Sequence, residues 1–433
     1  MIDVTVIFII TCIFLISSIL LKPILKTKYF TINTFWLSPL FGAVLMILTN
    51  NVSIKDIVIS FTSDTTVNPL KILILFISMT LISVFLDCVG FFRFLASIVL
   101  EKAGKSQLLL FFYLYITVSL LTIFTSNDIV ILTFTPFICY FAKNAEIDPV
   151  PYLITEFIAA NTWSMLLIIG NPTNIYLATN AELSFASYIF KMFLPTVSAG
   201  IVSLIMLYLI FRTKFSEPIK ASEIKKEIKD KPAVIIGLIH LIGSLFFMVI
   251  SSYIKLPMWM ISLGFCVSLF TTSSFYYIIR KKGFSTLIET IKRTPVETIP
   301  FILSMFVIVL ALQNSGITEI IATTFSKGNS IFTFGISSFL TANLINNIPM
   351  SVLYSSIINK MSTISYSALY STIIGSNLGA FFTPFGALAG IMWTSLLKDH
   401  NVSMTFFKFI KYGSIISIPV LFSSLSVLYL VVN

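Results

Sequence analysis

The chain has 433 residues, of which 57% are hydrophobic and only 11% charged, with a formal net charge of +10. A soluble domain carries roughly 25% charged residues, so water is excluded as the main solvent and a lipid bilayer is implied. The positive balance does not point to nucleic acid, because the basic residues sit in short loops between apolar runs, as orientation signals do.

The first apolar run, 4–21, lacks a basic leader and a small-residue cleavage site, and its lysines (Lys22, Lys26, Lys28) follow it. It reads as a retained span. Runs of about 17–25 apolar residues, the length a ~30 Å hydrocarbon core requires, predict ten crossings. They lie near 4–21, 32–49, 70–90, 152–178, 194–212, 232–252, 257–279, 297–317, 366–394 and 412–431. Two more apolar segments, 107–142 and 330–358, carry polar residues at their centres. Each is too polar for a plain crossing and too long for a loop, so each is expected to be a re-entrant hairpin. The fold class is thus an all-α polytopic membrane protein with about ten transmembrane helices and two re-entrant hairpins.

Charge tests that topology. Arg93, Lys102, Lys105, Lys143, Lys398, Lys408, Lys411, the lysines after the first span and the basic residues of 212–231 and 280–293 fall on one face. The other has only Lys55, Lys71, Lys191, Lys255, Lys327 and Lys360. Positive loops stay in the cytoplasm, which places both termini outside a plasma membrane. The mixed-charge stretch 215–232 reads as a solvated linker. The expected organisation is an N-terminal span (1–31), a first repeat (32–212), a linker (213–231) and a second repeat (232–433).

The repeat is visible in the motifs. Leu86-Asp87-Cys88-Val89-Gly90 matches Leu312-Gln313-Asn314-Ser315-Gly316, and Thr125-Ser126-Asn127-Asp128 matches Ile345-Asn346-Asn347-Ile348. Asn161 through Gly170 matches Asn377 through Gly386 at the same nine-residue spacing. Five crossings separate Gly90 from Gly316, and an odd number makes the repeats inverted. Inverted repeats with helices broken in mid-membrane are a transporter architecture.

At the first hairpin tip, Ser126, Asn127 and Asp128 would lie near the membrane centre. A carboxylate there costs several kcal/mol or more unless paired, hydrated or protonated. Asp128 is therefore the candidate proton carrier, with Asp87 second; the bland alternative is a helix cap, which neutral Ser or Asn would supply at lower cost. Asn161 and Thr162 lead into Gly170-Asn171-Pro172-Thr173-Asn174, where Gly and Pro interrupt a span and free carbonyls for a cation. The second half repeats this with Asn343, Asn346 and Asn347 at its tip, and with Asn377, Thr383, Pro384 and Gly386 at its break. Asn347 stands where Asp128 does, so one half is titratable and the other neutral.

Single cysteines and two histidines offer no metal cluster beyond a possible sodium site, and His240 reads as a packed residue. No phosphate loop or nucleophile–base arrangement appears, so neither an enzyme nor a cofactor is expected.

At these motifs the chain resembles the bacterial arsenical pump membrane proteins of the ion transporter superfamily, which also holds citrate and divalent anion–sodium symporters and sodium/proton antiporters. The likeness rests on the segments 83–92, Ser126-Asn127-Asp128, 343–349, and 374–379 running to Thr383-Pro384-Phe385-Gly386 and Trp393. The loop Gly170–Asn174 is similar to that of the citrate and sodium-coupled relatives. The resemblance implies elevator-type movement of hairpin-bearing domains in a homodimer, and proton-driven export of arsenite or antimonite. It also implies an ATPase subunit as partner in some systems. A sodium-coupled citrate or dicarboxylate carrier and a sodium/proton antiporter stay open as alternatives.

Overall fold

The computed structural model describes residues 2–21, 24–26, 31–63, 68–216, 218–219, 230–251, 253–361 and 365–432. Lys22, Lys28, residue 217 and residues 220–229 of the expected linker lie outside the described residues.

Among the described residues, twenty α-helices form two sets of ten. The first set is α1 (Ile2–Leu21), α2 (Leu37–Leu48), α3 (Ile54–Thr62), α4 (Pro69–Cys88), α5 (Phe91–Ala103), α6 (Gln107–Phe124), α7 (Asn127–Ala145), α8 (Val150–Trp163), α9 (Pro172–Asn180) and α10 (Phe185–Phe211). The second is α11 (Lys231–Val249), α12 (Met258–Ile279), α13 (Ser285–Arg293), α14 (Thr298–Asn314), α15 (Ile317–Phe325), α16 (Ser330–Ile345), α17 (Asn347–Asn359), α18 (Tyr366–Gly379), α19 (Leu388–Asp399) and α20 (Phe406–Val432). A small antiparallel hairpin, β1 (Ile24–Lys26) with β2 (Thr31–Asn33), links α1 to α2. With an isolated bridge between Ser106 and Pro218, it is the departure from an all-α chain among the described residues.

The first set takes in α1, which was expected to stand apart as an N-terminal span, and local chemistry repeats between the sets. Gly90 (φ 88°) ends α4 and Gly316 (φ 77°) ends α14, each in the left-handed region that glycine enters without a Cβ clash. Ser106 caps α6 and Asn329 caps α16, each accepting backbone N–H groups of the first turn. The expected hairpins are α6–α7 and α16–α17, which turn at Thr125–Ser126 and at Asn346.

Among the described residues, seven helical stretches are long and apolar enough to cross a membrane: α4, α6, α10, α11, α12, α14 with the preceding α13, and α20. Six belong to the expected crossings; α6 is a hairpin arm. Of the other four, α1 and α2 are shorter as apolar helices, α2 rising only about 18 Å. The remaining two are broken, α8–α9 over 164–171 and α18–α19 over 380–387. Four helices were not anticipated: α3, α13 and α15, nine residues each, and α5, of thirteen, are too short to register as spans.

The halves exchange partners. α2 packs on α14 while α12 packs on α4, and α7 packs on α19 while α17 packs on α9. α10 and α20 lie together between them. Outer helices show one lipid-ready stripe: Ile235, Ile239, Ile242 and Phe246 of α11 are exposed, whereas Val234, Leu241, Ser244 and Met248 are buried. His240 is packed as expected, with its ring nitrogens on the Ile236 carbonyl (2.8 Å) and Ser268 Oγ (3.0 Å).

Candidate functional site

The first break meets the end of α18. Asn377, at the end of α18, donates from Nδ2 to Asn174 Oδ1 (2.7 Å) and to the Ile373 carbonyl (2.8 Å). Its Oδ1 accepts from Ser164 Oγ (2.8 Å) and Asn171 Nδ2 (3.0 Å). Asn174 Nδ2 in turn donates to the freed carbonyls of Ser164 and Leu167, and Thr173 Oγ1 accepts from Ser376 Oγ. Asn171 accepts from Thr173 N and Oγ1, capping α9 at Pro172. A Cβ on Gly170 would stand 2.1 Å from the Ser164 carbonyl oxygen, so only glycine lets this loop fold back. In lipid an open backbone polar group costs several kcal/mol, and this lattice of amides closes most of those groups.

The first hairpin tip is tied to the same level. Asn127 Nδ2 donates to Asn161 Oδ1 (2.9 Å), and Asn161 Nδ2 donates to the Phe157 carbonyl. Ser126 Oγ lies 3.5 Å from Asn127 Oδ1. Thr162 Oγ1 is fully buried and has no hydrogen-bond partner among the described residues. At the second tip the bonds run to the break of the same half. Asn343 Oδ1 accepts from Thr383 N and Oγ1. Asn346 Nδ2 donates to the Phe385 carbonyl, and Asn347 N to the Gly386 carbonyl (3.0 Å). Pro384 lies within that 380–387 break.

Asp128 stands apart from this lattice. It lies in the first turn of α7 and has no hydrogen-bond or ion-pair partner among the described residues. It faces a cavity of about 460 Å³ walled by Phe35, Phe76, Leu132, Pro172, Ile348 and the α19 residues Leu388, Ile391, Met392, Ser395 and Leu396. Lys292, Arg293 and Glu297 line the part formed by the α13–α14 junction. Asp87 does not line it. Its buried carboxylate is ion-paired with Arg293, which also lies 3.6 Å from Cys88 Sγ. That pair joins residues 206 positions apart, so sequence alone gave no sign of it.

One buried acid escaped the sequence reading, which held Asp128 and Asp87 to be the only candidates. Glu156 sits in mid-α8 with no exposed surface, and Thr135 Oγ1 of α7 lies 2.9 and 3.0 Å from its two oxygens. The signal was there: a lone acid inside the apolar run 152–178, beside Thr155 but with no glycine or proline next to it to mark it as more than a span position.

Comparison with known proteins agrees with this architecture. The family model described as citrate transporter (CitMHS) matches residues 30–369. An arsenical pump membrane protein of Escherichia coli is 28% identical over 378 residues, covering 82% of this chain and 85% of that protein. The one from Yersinia enterocolitica is 29% identical over 376 residues, at 82% and 85% coverage. Among solved structures, the YdaH transporter of Alcanivorax borkumensis, described as having an unusual topology, aligns with a TM-score of 0.58 at 14% identity. The alignment covers 99% of this chain and 98% of that one, a likeness of fold. With the family model spanning most of its length, the chain is a multi-pass membrane transporter that belongs to the CitMHS citrate transporter family.

Proposed function

We propose that the protein exports arsenite or antimonite, as the neutral hydroxides, in exchange for protons. The observation that carries this reading is Asp128, a carboxyl without a partner among the described residues, on the cavity beside Pro172 of one break. A neutral trihydroxide needs hydroxyl and amide partners and no deep cation, and the hydroxyls, amides and carbonyls of the tips and breaks are of that kind. The printed names of the Escherichia coli and Yersinia relatives support the substrate class. Transport would proceed elevator-fashion, exposing the tips and breaks alternately to the two sides. Both termini would lie outside, and a homodimer with an optional ATPase subunit would be the working form.

A second reading, a sodium-coupled citrate or dicarboxylate carrier, is favoured by Lys292 and Arg293 on the cavity and by the family description. The two separate in everted vesicles offered arsenite, citrate or sodium with and without a pH gradient. Arsenite uptake that requires the gradient supports export of the hydroxide. Citrate uptake that requires sodium, with arsenite untouched, overturns it.

A further inference from the structure

Glu156 has no place in the reading above, yet it is the most enclosed acid described. α8 carries it inward from Val150, and its side chain lies between α8, α7 and α19. Thr135 supplies its hydrogen bonds, and Trp393 of α19 brings its buried indole Nε1 alongside. Cys139, one turn beyond Thr135, is the titratable side chain beside it. No cation on α6, α7, α10, α18 or α19 pairs with it among the described residues. A charged carboxylate so placed would be costly, whereas a neutral carboxylic acid needs only what Thr135 offers.

Its position relative to the cavity suggests a use. Asp128 and Thr135 are seven residues apart on α7, two turns or roughly 10 Å along one face. α19 turns Leu388, Ile391, Met392, Ser395 and Leu396 to the cavity and buries Ala389, Trp393 and Leu397 on its other side. Glu156 is therefore one helix wall away from the space that Asp128 faces. The second half has no counterpart: five residues before Asn377 stands Thr372, whose hydroxyl is spent on the Ala368 carbonyl (2.7 Å). Asp128 and Glu156 thus both belong to the first half, and Asn347 and Thr372 are their neutral equivalents in the second.

We propose that Glu156 is a second proton-carrying carboxyl of the transport cycle, occluded behind α19 in this state and opened to water when α19 parts from α7 and α8. This rests on the proton-driven reading and adds to it a stoichiometry of two. The proton leaves from and returns to the carboxyl oxygen, and no other bond changes. A purely structural role would be different, because Gln supplies Thr135 with the same acceptor.

The test uses purified full-length protein in liposomes at clamped zero membrane potential, reading the arsenite ratio that a fixed pH gradient sustains. At about one pH unit, two protons support roughly a hundredfold ratio and one proton roughly tenfold. Wild type is expected near the first figure and Glu156→Gln near the second, with arsenite exchange at zero gradient retained. A wild-type ratio in Glu156→Gln overturns this inference alone. A wild-type protein indifferent to the gradient overturns the proton-driven reading as well. Should Glu156→Gln fail to reach the membrane, Thr135→Val keeps the acid and removes its donor. A shifted pH profile of coupling supports the proposal there, and an unshifted one overturns it.

Discussion

The two hairpin tips descend from the same design and are finished differently. The first tip reaches α8 through a single side-chain bond, Asn127 to Asn161, and leaves Asp128 facing the cavity without a partner. The second is fastened to its own break through Asn343, Asn346 and the Asn347 backbone, and carries no charge. The difference teaches where a transporter of this plan can place its chemistry. A lightly tied tip can change its surroundings and its proton during a cycle, whereas a tip bonded at several points serves better as a neutral wall.

The largest expected effect comes from making the first tip like the second. Asp128→Asn should slow gradient-driven arsenite transport by about a hundredfold or more given typical losses of an acid–base group, while insertion stays normal because Asn keeps the shape and Asp128 makes no hydrogen bond among the described residues for the change to break. A wild-type rate of gradient-driven uptake into everted vesicles would show that transport does not need a carboxyl at this tip. The reverse exchange sharpens the point. Asn347→Asp placed in that background should not restore coupling, since Asn347 does not line the cavity.

The cavities differ in depth as the tips do. One of about 460 Å³ reaches Asp128, Pro172 and Ile348. The other, about 470 Å³ between Lys71, Glu182, Lys255 and Trp259, is lined by the corresponding parts of the opposite repeats but includes no tip residue. In a cysteine-free background, Ser395→Cys should react with an impermeant thiol reagent from the cytoplasm only, and Ser184→Cys from outside only. The same sidedness at both positions would break the inverted arrangement of the two spaces.

Asn161 and Asn377 occupy equivalent positions and should be unequal in worth. Asn377 bonds across the halves to Ser164, Asn171 and Asn174, while Asn161 bonds within its own half. Asn377→Leu should therefore lower stability by about 3 kcal/mol and Asn161→Leu by about 1–2, each orphaned buried partner costing about 1–3 at most. Thermal unfolding in detergent reads the order, and a reversed order would place the seam between the halves elsewhere.

The smallest effect lies at the membrane surface. Asp230 caps α11 and binds Lys282 Nζ at 2.7 Å and the Tyr276 hydroxyl at 2.6 Å. Partial burial pushes its carboxyl up, but the Lys282 and Tyr276 bonds outweigh this and hold it below the usual carboxylate range. A carboxyl depressed on folding stabilises above its unfolded pKa and loses that contribution as pH falls through the folded value. Lys282→Ala should thus lower the unfolding temperature slightly at neutral pH, with the gap closing in acid.

The hairpins and breaks were legible because polar residues interrupting an apolar run have few uses in lipid. Ser126-Asn127-Asp128 and Asn346-Asn347 mark the turns between helices, and Gly170 and Gly386 mark the breaks. What stayed hidden was pairing over distance. Nothing local says that Asn377 meets Asn174, or that Arg293 at the end of a nine-residue amphipathic helix reaches back to Asp87. Glu156 was missed for the opposite reason, because one acid does not disturb the mean hydropathy of the run around it.

The exchange of partners between halves bears on how the chain is made. α7 closes against α19 and α17 against α9, so the breaks of the first half find their lattice only after Asn377 has been synthesised. A ribosome that has finished α10 has released a half whose open carbonyls at Ser164 and Leu167 are bridged by Asn174, while Asn174 itself still lacks its donor. Insertion machinery must shelter that intermediate from lipid for the length of the second half. A gene split between α10 and α11 should therefore require both fragments to be translated into the same membrane, each protecting the other from degradation.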